Sequence, residues 1–474
     1  MAETRKAKSP KSTRRAAAGR KKSDNASEWR ARVRMYRQGI GDCLLVSLPR
    51  QKSEGHYQIM IDCGVLLGTP DARGWMRRIV ADIAQTTGGH VDLLVVTHEH
   101  WDHLSGFLDA ATELDAIEFG QVWMSWAENP DDPQARALDA AREQAIRALR
   151  VAEARLTLAG ASEAESLGDL LSLYGSRGRS TRDALNAARA RAPGGKPHYV
   201  EPGETLKLEG TTSRVHVLGP PRDEALLRRS NPRQGEVYGI GAGLSVTDLL
   251  KLMGANEGSD RQPADPASEH HFAARLDDQP DTPFAARWGI PLQTARSLPF
   301  FARALESPDQ EWRRIDVAWL DSALDLALRL DQDTNNSSLA LAIELDGGEV
   351  LLMAADAQVG NWLSWQKLEF EDGAQTVTGP DLLARTVIYK VGHHGSHNAT
   401  LRKNGLEQMS ELQTALVPVD EAVALARRWT RIPLPDLLKA LDTATGGRVL
   451  RADAPAPKGA KNIDATALRF DVFI

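Results

Sequence analysis

Apolar and polar positions alternate from the first structured stretch. Arg32-Val-Arg-Met-Tyr36 alternates, Gly39-Ile-Gly-Asp42 turns, and Cys43-Leu-Leu-Val-Ser-Leu48 resumes, which predicts two strands over Ala31–Pro49. Tyr57–Asp62 reads as a third strand stopped by Gly64. In Gly74–Thr86, Trp75, Ile79 and Ile83 fall on one helical face. Val91–Val96 is almost continuously apolar, as expected of a strand buried on both faces. A helix over Leu104–Ala111 and a short strand over Gln121–Met124 follow.

The pattern then changes. Leu138, Ala141, Ala145, Leu149, Ala152 and Leu156 recur at three- and four-residue steps, which predicts an amphipathic helix, the first of a pair. Strand patterns return at Thr205–Leu208 and Arg214–Leu218. Asn256–Pro283 is polar and turn-rich and predicts a mobile loop, while Trp312–Leu330 is helical in spacing. The last third alternates again. Strands at Ser338–Leu345 and Val350–Met353 flank an Asp346-Gly347-Gly348 turn, and further strands are expected at Thr386–Val391, Thr414–Val417, Arg448–Leu450 and Leu468–Ile474, with a helix at Leu434–Leu441. Strands followed by helices, twice over, predict an α/β fold: a layered αββα sandwich with two mainly helical insertions. The expected organisation is a disordered basic tail (1–30), sandwich (31–126), helical insertion (127–198), sandwich strands (199–221), helical and loop insertion (222–333) and sandwich (334–474).

Composition changes this picture at one place. With 42% apolar and 26% charged residues the 474-residue chain can bury a core, and a net charge of −6 selects neither nucleic acid nor membrane as partner. Yet Met1–Asn25 holds nine Lys or Arg against Glu3 and Asp24 and lacks large apolar residues, so it cannot fold alone. It is expected to be a solubilising tail or to attract nucleic acid. No run approaches the ~18 apolar residues of a membrane span, and no secretory core follows the basic start. A cytoplasmic protein is expected, with Cys43 and Cys63 as buried free thiols.

The chemistry concentrates where the Val91–Val96 strand ends. Thr97-His98-Glu99-His100-Trp101-Asp102-His103 packs three imidazoles and two carboxylates into six residues, in a chain with only twelve histidines. Residues two apart in extended chain share a face, so His98 and His100 can converge on one point. Asp102 and His103 follow at a turn and can address a second point nearby. Imidazole with carboxylate suits zinc, manganese or iron, and two such ions ~3.5–4 Å apart can share a hydroxide nucleophile.

His-x-His-x-Asp-His after a buried strand resembles the main motif of the metallo-β-lactamase superfamily. Asp62 before Cys63-Gly64 resembles its first motif, in which the aspartate orients the metal loop. Asp356 resembles the bridging carboxylate, and His393-His394-Gly395-Ser396 the last histidine motif, with either histidine open as ligand. Gln38-Gly39-Ile-Gly41-Asp42, Val217-Leu218-Gly219-Pro220, Asn335-Asn336-Ser337-Ser338-Leu339 and Lys390-Val391-Gly392 narrow the likeness to the branch containing the soluble nuclease-like domain of the DNA-uptake channel of competent bacteria. The resemblance spans roughly Val33–Trp126, Val200–Pro221 and Thr334–Ile474, outside the helical insertions. It implies two divalent ions, zinc or manganese, held by His98, His100, Asp102, His103, Asp356 and His394 or His393. Asp102, Asp356 and Asp62 are its candidate catalytic carboxylates.

Two departures stand out. Asn335-Asn336-Ser337 occupies the place where most members carry a histidine, so the first metal position has two strong ligands, with Asn336 a weaker oxygen donor. Ala355 replaces the usual glycine before the bridging aspartate and implies a slightly different turn. Beyond the motif, His397 and Lys390 are candidate substrate contacts. His216, His198, Trp101, Trp362 and Trp365 read as packing residues, and His270-His271 as chance neighbours in the polar loop. The implied activity is hydrolysis by metal-bound hydroxide, foremost of a phosphodiester such as nucleic acid. The alternatives are a small ester, lactone or phosphocholine-type substrate, and a non-catalytic interaction module with a structural metal. Oligomeric state is not legible.

Overall fold

The computed structural model describes residues 29–159, 163–176, 178–230, 236, 294, 297–306, 315–372, 375–429 and 431–474. Most of the basic tail, the polar loop at 256–283 and His270-His271 lie outside them. The sequence pattern puts Trp29 and Arg30 in the tail. In the structure both are tied to the body: Trp29 stacks on His56 at 4.7 Å, and the Arg30 amide donates to the Ile474 carbonyl.

The chain alternates as its pattern predicts. Strands β1 (Arg32–Tyr36), β2 (Leu44–Pro49) and β3 (His56–Ile61) form an antiparallel meander. Helix α1 (Ala72–Thr87) crosses to β4 (His90–Val96), which lies parallel to β3 and to β5 (Glu118–Ser125). The helix expected over Leu104–Ala111 is instead broken into single turns. The first is α2 (Trp101–Leu104), and further turns follow at Gly106–Asp109 and Ala111–Leu114. Ala110 (φ −120°, ψ 31°) leaves helical geometry between the second and third of them. Gly106 lies so close to Cys63 that an added Cβ would stand 2.4 Å from its sulfur, which fixes this segment against the end of β3.

Two long helices follow, α3 (Pro133–Ala159) and α4 (Glu163–Leu171), then α5 (Thr181–Arg189). Ser180 and Asp183 close a reciprocal capping box at the start of α5. Next come β6 (His198–Val200), β7 (Thr205–Lys207), β8 (Arg214–Gly219) and helix α6 (Ile315–Asn336). The C-terminal third runs β9 (Ala340–Glu344), β10 (Val350–Met353), α7 (Val359–Trp365), β11 (Thr386–Lys390), β12 (Thr414–Val417), α8 (Pro435–Thr445), β13 (Val449–Arg451), β14 (Ile463–Ala465) and β15 (Arg469–Phe473).

These strands build an eight-stranded sheet, ordered β14-β15-β1-β2-β3-β4-β5-β6, and a seven-stranded sheet, ordered β13-β12-β11-β10-β9-β8-β7. The sheets pack face to face. Val33, Met35, Val46, Ile59, Leu93 and Val95 of the first meet Val217, Leu341, Ile343, Leu351, Met353 and Ile388 of the second in one dry core. The outer face of the first sheet packs on α1 and α5, through Met76, Ile79, Ile83, Leu185 and Ala188. The outer face of the second packs on α7 and α8, through Trp362, Trp365, Leu437 and Leu441. The result is a four-layer αββα arrangement. Helices α3, α4 and α6 form their own apolar cluster, with Leu149, Leu156, Leu167 and Leu326, which also takes in Ile40, Leu66 and Tyr174. Among the described residues no helix is long and apolar enough to cross a membrane, and Cys43 and Cys63 are free and buried.

Trp362 and Trp365 are both fully buried, with ring centroids 4.1 Å apart. The Trp362 indole N–H lies 3.2 Å from the Ala357 carbonyl and 3.0 Å from that of Ala399. They are core residues. Trp362→Ala is expected to lower the unfolding free energy by about 3–5 kcal/mol, read as a lower urea midpoint at unchanged slope.

Candidate metal centre

The site begins with how the chain leaves β4. After Val96 the chain bends at Glu99, where the His100 amide donates to the His98 carbonyl (3.1 Å), and it enters α2 after the extended residue His100 (φ −115°, ψ 152°). This lays His98 and His100 on one side and turns Asp102 and His103 toward the junction of the two sheets. Backbone contacts lock the turn. The Asp42 amide donates to the Asp102 carbonyl (3.0 Å) and the Cys63 amide to the His103 carbonyl (2.8 Å). Gly64 must be glycine on steric grounds: a Cβ there would lie 2.3 Å from the Asp102 carbonyl. Asp62, in the left-handed region (φ 54°), receives hydrogen bonds from the Thr97 amide (2.9 Å), the Thr97 hydroxyl (2.6 Å) and His103 Nδ1 (2.7 Å). It orients the loop and its histidine.

The second sheet supplies the rest. Asp356 follows β10 and the 393–396 turn follows β11. Ala355, His393 and His394 all take positive φ (47°, 40° and 53°), strained conformations at the ends of packed strands. Ala355 thus adopts the left-handed conformation that glycine takes most readily. The outcome is a compact cluster in which ligand atoms of Asp102, His103, Asp356 and His394 all lie within 4.8 Å of one another. His394 Nε2 is 2.9 Å from Asp102 Oδ2 and 3.6 Å from Asp356 Oδ2, and His103 Nε2 is 3.3 Å from Asp356 Oδ2. Beside it, His98 Nε2 and His100 Nδ1 are 3.2 Å apart.

The donor set fits a cation. His394 Nδ1 donates to the Pro418 carbonyl (2.8 Å) and His103 Nδ1 to Asp62, so in the neutral rings each Nε2 turns a lone pair inward. Asp102 Oδ1 and His103 Nε2 are buried with no hydrogen-bond partner. Such groups are costly to bury unless an ion or proton joins them. Charge at the centre follows the same logic. Burial opposes ionisation of Asp102 and Asp356, but His394 and His103 outweigh it for Asp102, and Lys390 and His103 for Asp356, so both pKa values fall. Burial also opposes the charged forms of His103 and His394, yet Asp356 foremost draws both pKa values up. His98 and His100 go the other way. Burial keeps both neutral, with His100 pushed down to about 3.

Each candidate from the sequence has a definite place. His98, His100, Asp102, His103, Asp356 and His394 converge. Of the adjacent pair, His394 enters the cluster, whereas His393 turns to Ser396 Oγ (2.8 Å), Asn335 and Gln358 (3.3 Å each). Asn336 is not brought to the site. Its amide nitrogen donates to the Leu226 and Leu227 carbonyls (2.7 Å each), and its oxygen accepts from the Asn361 amide (2.9 Å). Asn335, one residue earlier on the helix, faces the metal loop instead. Lys390 is buried and its ammonium bridges Asp42 (2.5 Å), Asp356 (3.2 Å) and the Ala355 carbonyl (2.8 Å), which leaves it no reach toward substrate. His397 is half-buried and lies outside the cluster, its pKa lowered by burial and by Arg431. His216 is a strand residue between Thr205 (3.1 Å) and Glu344 (2.9 Å).

Asp42, Tyr174, Asp331 and Thr334 are residues that the sequence pattern does not single out. Asp42 carried a signal, since it ends the Gly-Ile-Gly-Asp turn, and it pairs with Lys390. The other three come from α6 and the turn after α4. Helix α6 runs on to Asn336, six residues past its predicted end, and this carries Asp331 Oδ1 to 3.9 Å from His100 Nε2. Burial, followed by the charges of Asp102 and Asp356, raises the Asp331 carboxyl to about 8.

No family model and no curated protein matches this chain. Among solved structures it is similar to a beta-lactamase domain protein from Burkholderia ambifaria, at 19% identity over 40% of this chain, with a TM-score of 0.22. The match spans 45% of that protein's length.

Asp356 foremost raises the pKa values of His103 and His394 above the ordinary imidazole range, which favours a proton on each ring in the metal-free cluster. A cation favours the deprotonated ligand. Binding of Zn²⁺ at pH 7 is therefore expected to release protons, read by calorimetry in buffers of different ionisation enthalpy. Release should shrink as pH rises and His103 and His394 lose these protons on their own. A binding heat independent of buffer would contradict this assignment.

Proposed function

We propose that this chain is a metal-dependent hydrolase of the metallo-β-lactamase type that cleaves a phosphodiester. The observation that carries the reading is the convergence of Asp102, His103, Asp356 and His394, beside His98 and His100, where the two sheets meet. Bound zinc or manganese there would polarise a phosphoryl oxygen and activate water. The residues around it have separable tasks. His98 and His100 would hold one ion, and Asp102, His103, Asp356 and His394 the other. Lys390 restrains Asp356 Oδ1, so that Oδ2 is left to the histidines. Asp62 and Thr97 fix the orientation of His98 and His103. Asp102 Oδ1, buried and unpartnered, is placed to accept a proton from the attacking water.

An anionic substrate is favoured by the neighbouring surface. Tyr174, whose hydroxyl meets His100, also lines a cavity of about 370 Å³ together with Arg147, Arg150, Arg179 and Arg182 and with the acidic Glu99, Glu143 and Asp183; Arg147 pairs with Glu143, Arg179 with Asp109 and Arg182 with Glu99. Guanidinium groups suit phosphate oxygens. The motif resemblance to a nuclease-like branch points the same way, as does the basic N-terminal segment.

A second reading is a closed, structural metal site. It is favoured by burial, because no residue of the six is more than 3% exposed, and structural sites lack the open position of catalytic ones.

Hydrolysis of bis-p-nitrophenyl phosphate by the purified chain with added Mn²⁺ or Zn²⁺ separates the two. We expect metal-dependent turnover that falls at least about 100-fold in Asp102→Ala. Wild type that holds metal but is inert would reject the phosphodiesterase reading and leave the structural one.

A further inference from the structure

His100 is the one metal-loop histidine whose far nitrogen is held by the helical segments and not by the sandwich. His100 Nε2 lies 3.2 Å from the Tyr174 hydroxyl, which lies 3.0 Å from Thr334 Oγ1, which lies 2.8 Å from the Leu330 carbonyl. Tyr174 follows α4 and Thr334 sits in the last turn of α6. All are buried.

The direction of this chain of hydrogen bonds follows from its end. A carbonyl only accepts, so Thr334 must donate its single hydroxyl hydrogen to Leu330. Thr334 Oγ1 is then an acceptor and takes the hydrogen of Tyr174. Tyr174, having given away its only hydrogen, accepts from His100, so the imidazole hydrogen resides on Nε2. Asp331 Oδ1 lies 3.9 Å from the same nitrogen, beyond hydrogen-bond distance, and is held by Asn335 Nδ2 (3.2 Å). Nδ1 is left bare and faces His98.

His98 is set by the same rule. Thr97 donates its hydroxyl hydrogen to the Asp62 carboxylate (2.6 Å) and so accepts from His98 Nδ1 (3.0 Å), which leaves His98 Nε2 bare. Two lone pairs then face each other across 3.2 Å, an arrangement that calls for a cation between or beside them. Asp331 is not a ligand of that cation in this geometry, because it addresses the opposite nitrogen of the His100 ring.

We propose that Tyr174 and Thr334 form a proton-ordering relay that holds the His100 hydrogen on Nε2 and presents Nδ1 with His98 Nε2 as the first metal position. They are positioning residues. The inference rests on the metal reading above, but the relay itself exists without metal.

The test uses the full chain with ¹⁵N-labelled histidine and two readouts. In the metal-free protein the ¹⁵N shifts of His100, assigned by comparison with His100→Gln, should report hydrogen on Nε2. Thr334→Val and Tyr174→Phe keep the shape but break the relay and should give a tautomer mixture, whereas Thr334→Ser should restore the wild-type shifts. By calorimetry with Zn²⁺, the wild type should bind two equivalents. The Val and Phe variants should bind one of them about 10–100-fold more weakly, and the Ser variant at the wild-type value. Hydrogen on Nδ1 in the metal-free wild type, or unchanged affinities in Thr334→Val and Tyr174→Phe, would overturn the relay and leave the metal reading standing. A wild type that binds no zinc would overturn the metal reading, and the metal-free shifts would still decide the relay.

Discussion

Buried charge is the constraint on which the rest of this structure depends. Asp42, Asp62, Asp102 and Asp356 lie together with almost no access to water, and isolated carboxylates in such a place are prohibitively costly. The fold meets the cost with partners drawn from both sheets. Lys390 from β11 sits between Asp42 and Asp356, His103 lies between Asp62 and Asp356, and His394 meets Asp102. Removing one partner leaves another group buried and unpaired, so the cluster tolerates piecemeal change poorly. The two sheets are thereby held in one relative position by electrostatics as well as by their shared apolar face.

The helices outside the sandwich serve the same centre from the opposite side. They are anchored through Glu99, the residue between His98 and His100, whose carboxylate meets Arg142 of α3 (2.9 Å) and Arg182 of α5 (3.2 Å), as well as the Thr181 hydroxyl (3.0 Å). Glu99 and His100 are chain neighbours held by different groups: Glu99 by Arg142, Arg182 and Thr181, His100 by Tyr174. One residue therefore fastens the helices while the next receives their hydrogen-bond chain. The bend after β4 thus ties the helices to the sandwich at two adjacent residues.

Much of this was legible in the residue pattern, for identifiable reasons. The continuous apolar run of β4, the alternation of β1, β2 and β9, and the hairpin at Asp346–Gly348 each have one favoured reading, and the strands formed there. Of the six converging residues, His98, His100, Asp102 and His103 were readable because imidazole and carboxylate at those spacings have few other uses, whereas Asp356 and the His393-His394 pair were reached through the motif resemblance. What was hidden came from long range. Asp331 and Thr334 lie just past Leu330, where the helical spacing read from the sequence ends, so the pattern gave them no face. Only the packing of α6 over the metal loop gives them meaning. Lys390 failed for a different reason: alternation gives a side chain's face but not the atom it reaches. The choice between Asn335 and Asn336 turned on the helix continuing through both, since adjacent helical residues point about 100° apart.

The left-handed residues at the strand ends and the spread of the ligands along the chain have a joint consequence for folding. The cluster draws on positions from Asp62 to His394, so it comes into being only when distant segments have been brought together. Contacts of such sequence separation form late and slowly. A partly folded chain has nowhere to hold an ion at full affinity, and the ion in turn has the most to gain from the finished state. Metal uptake there would thus be a marker of completed assembly, because the cluster exists only once both halves of the sandwich have closed.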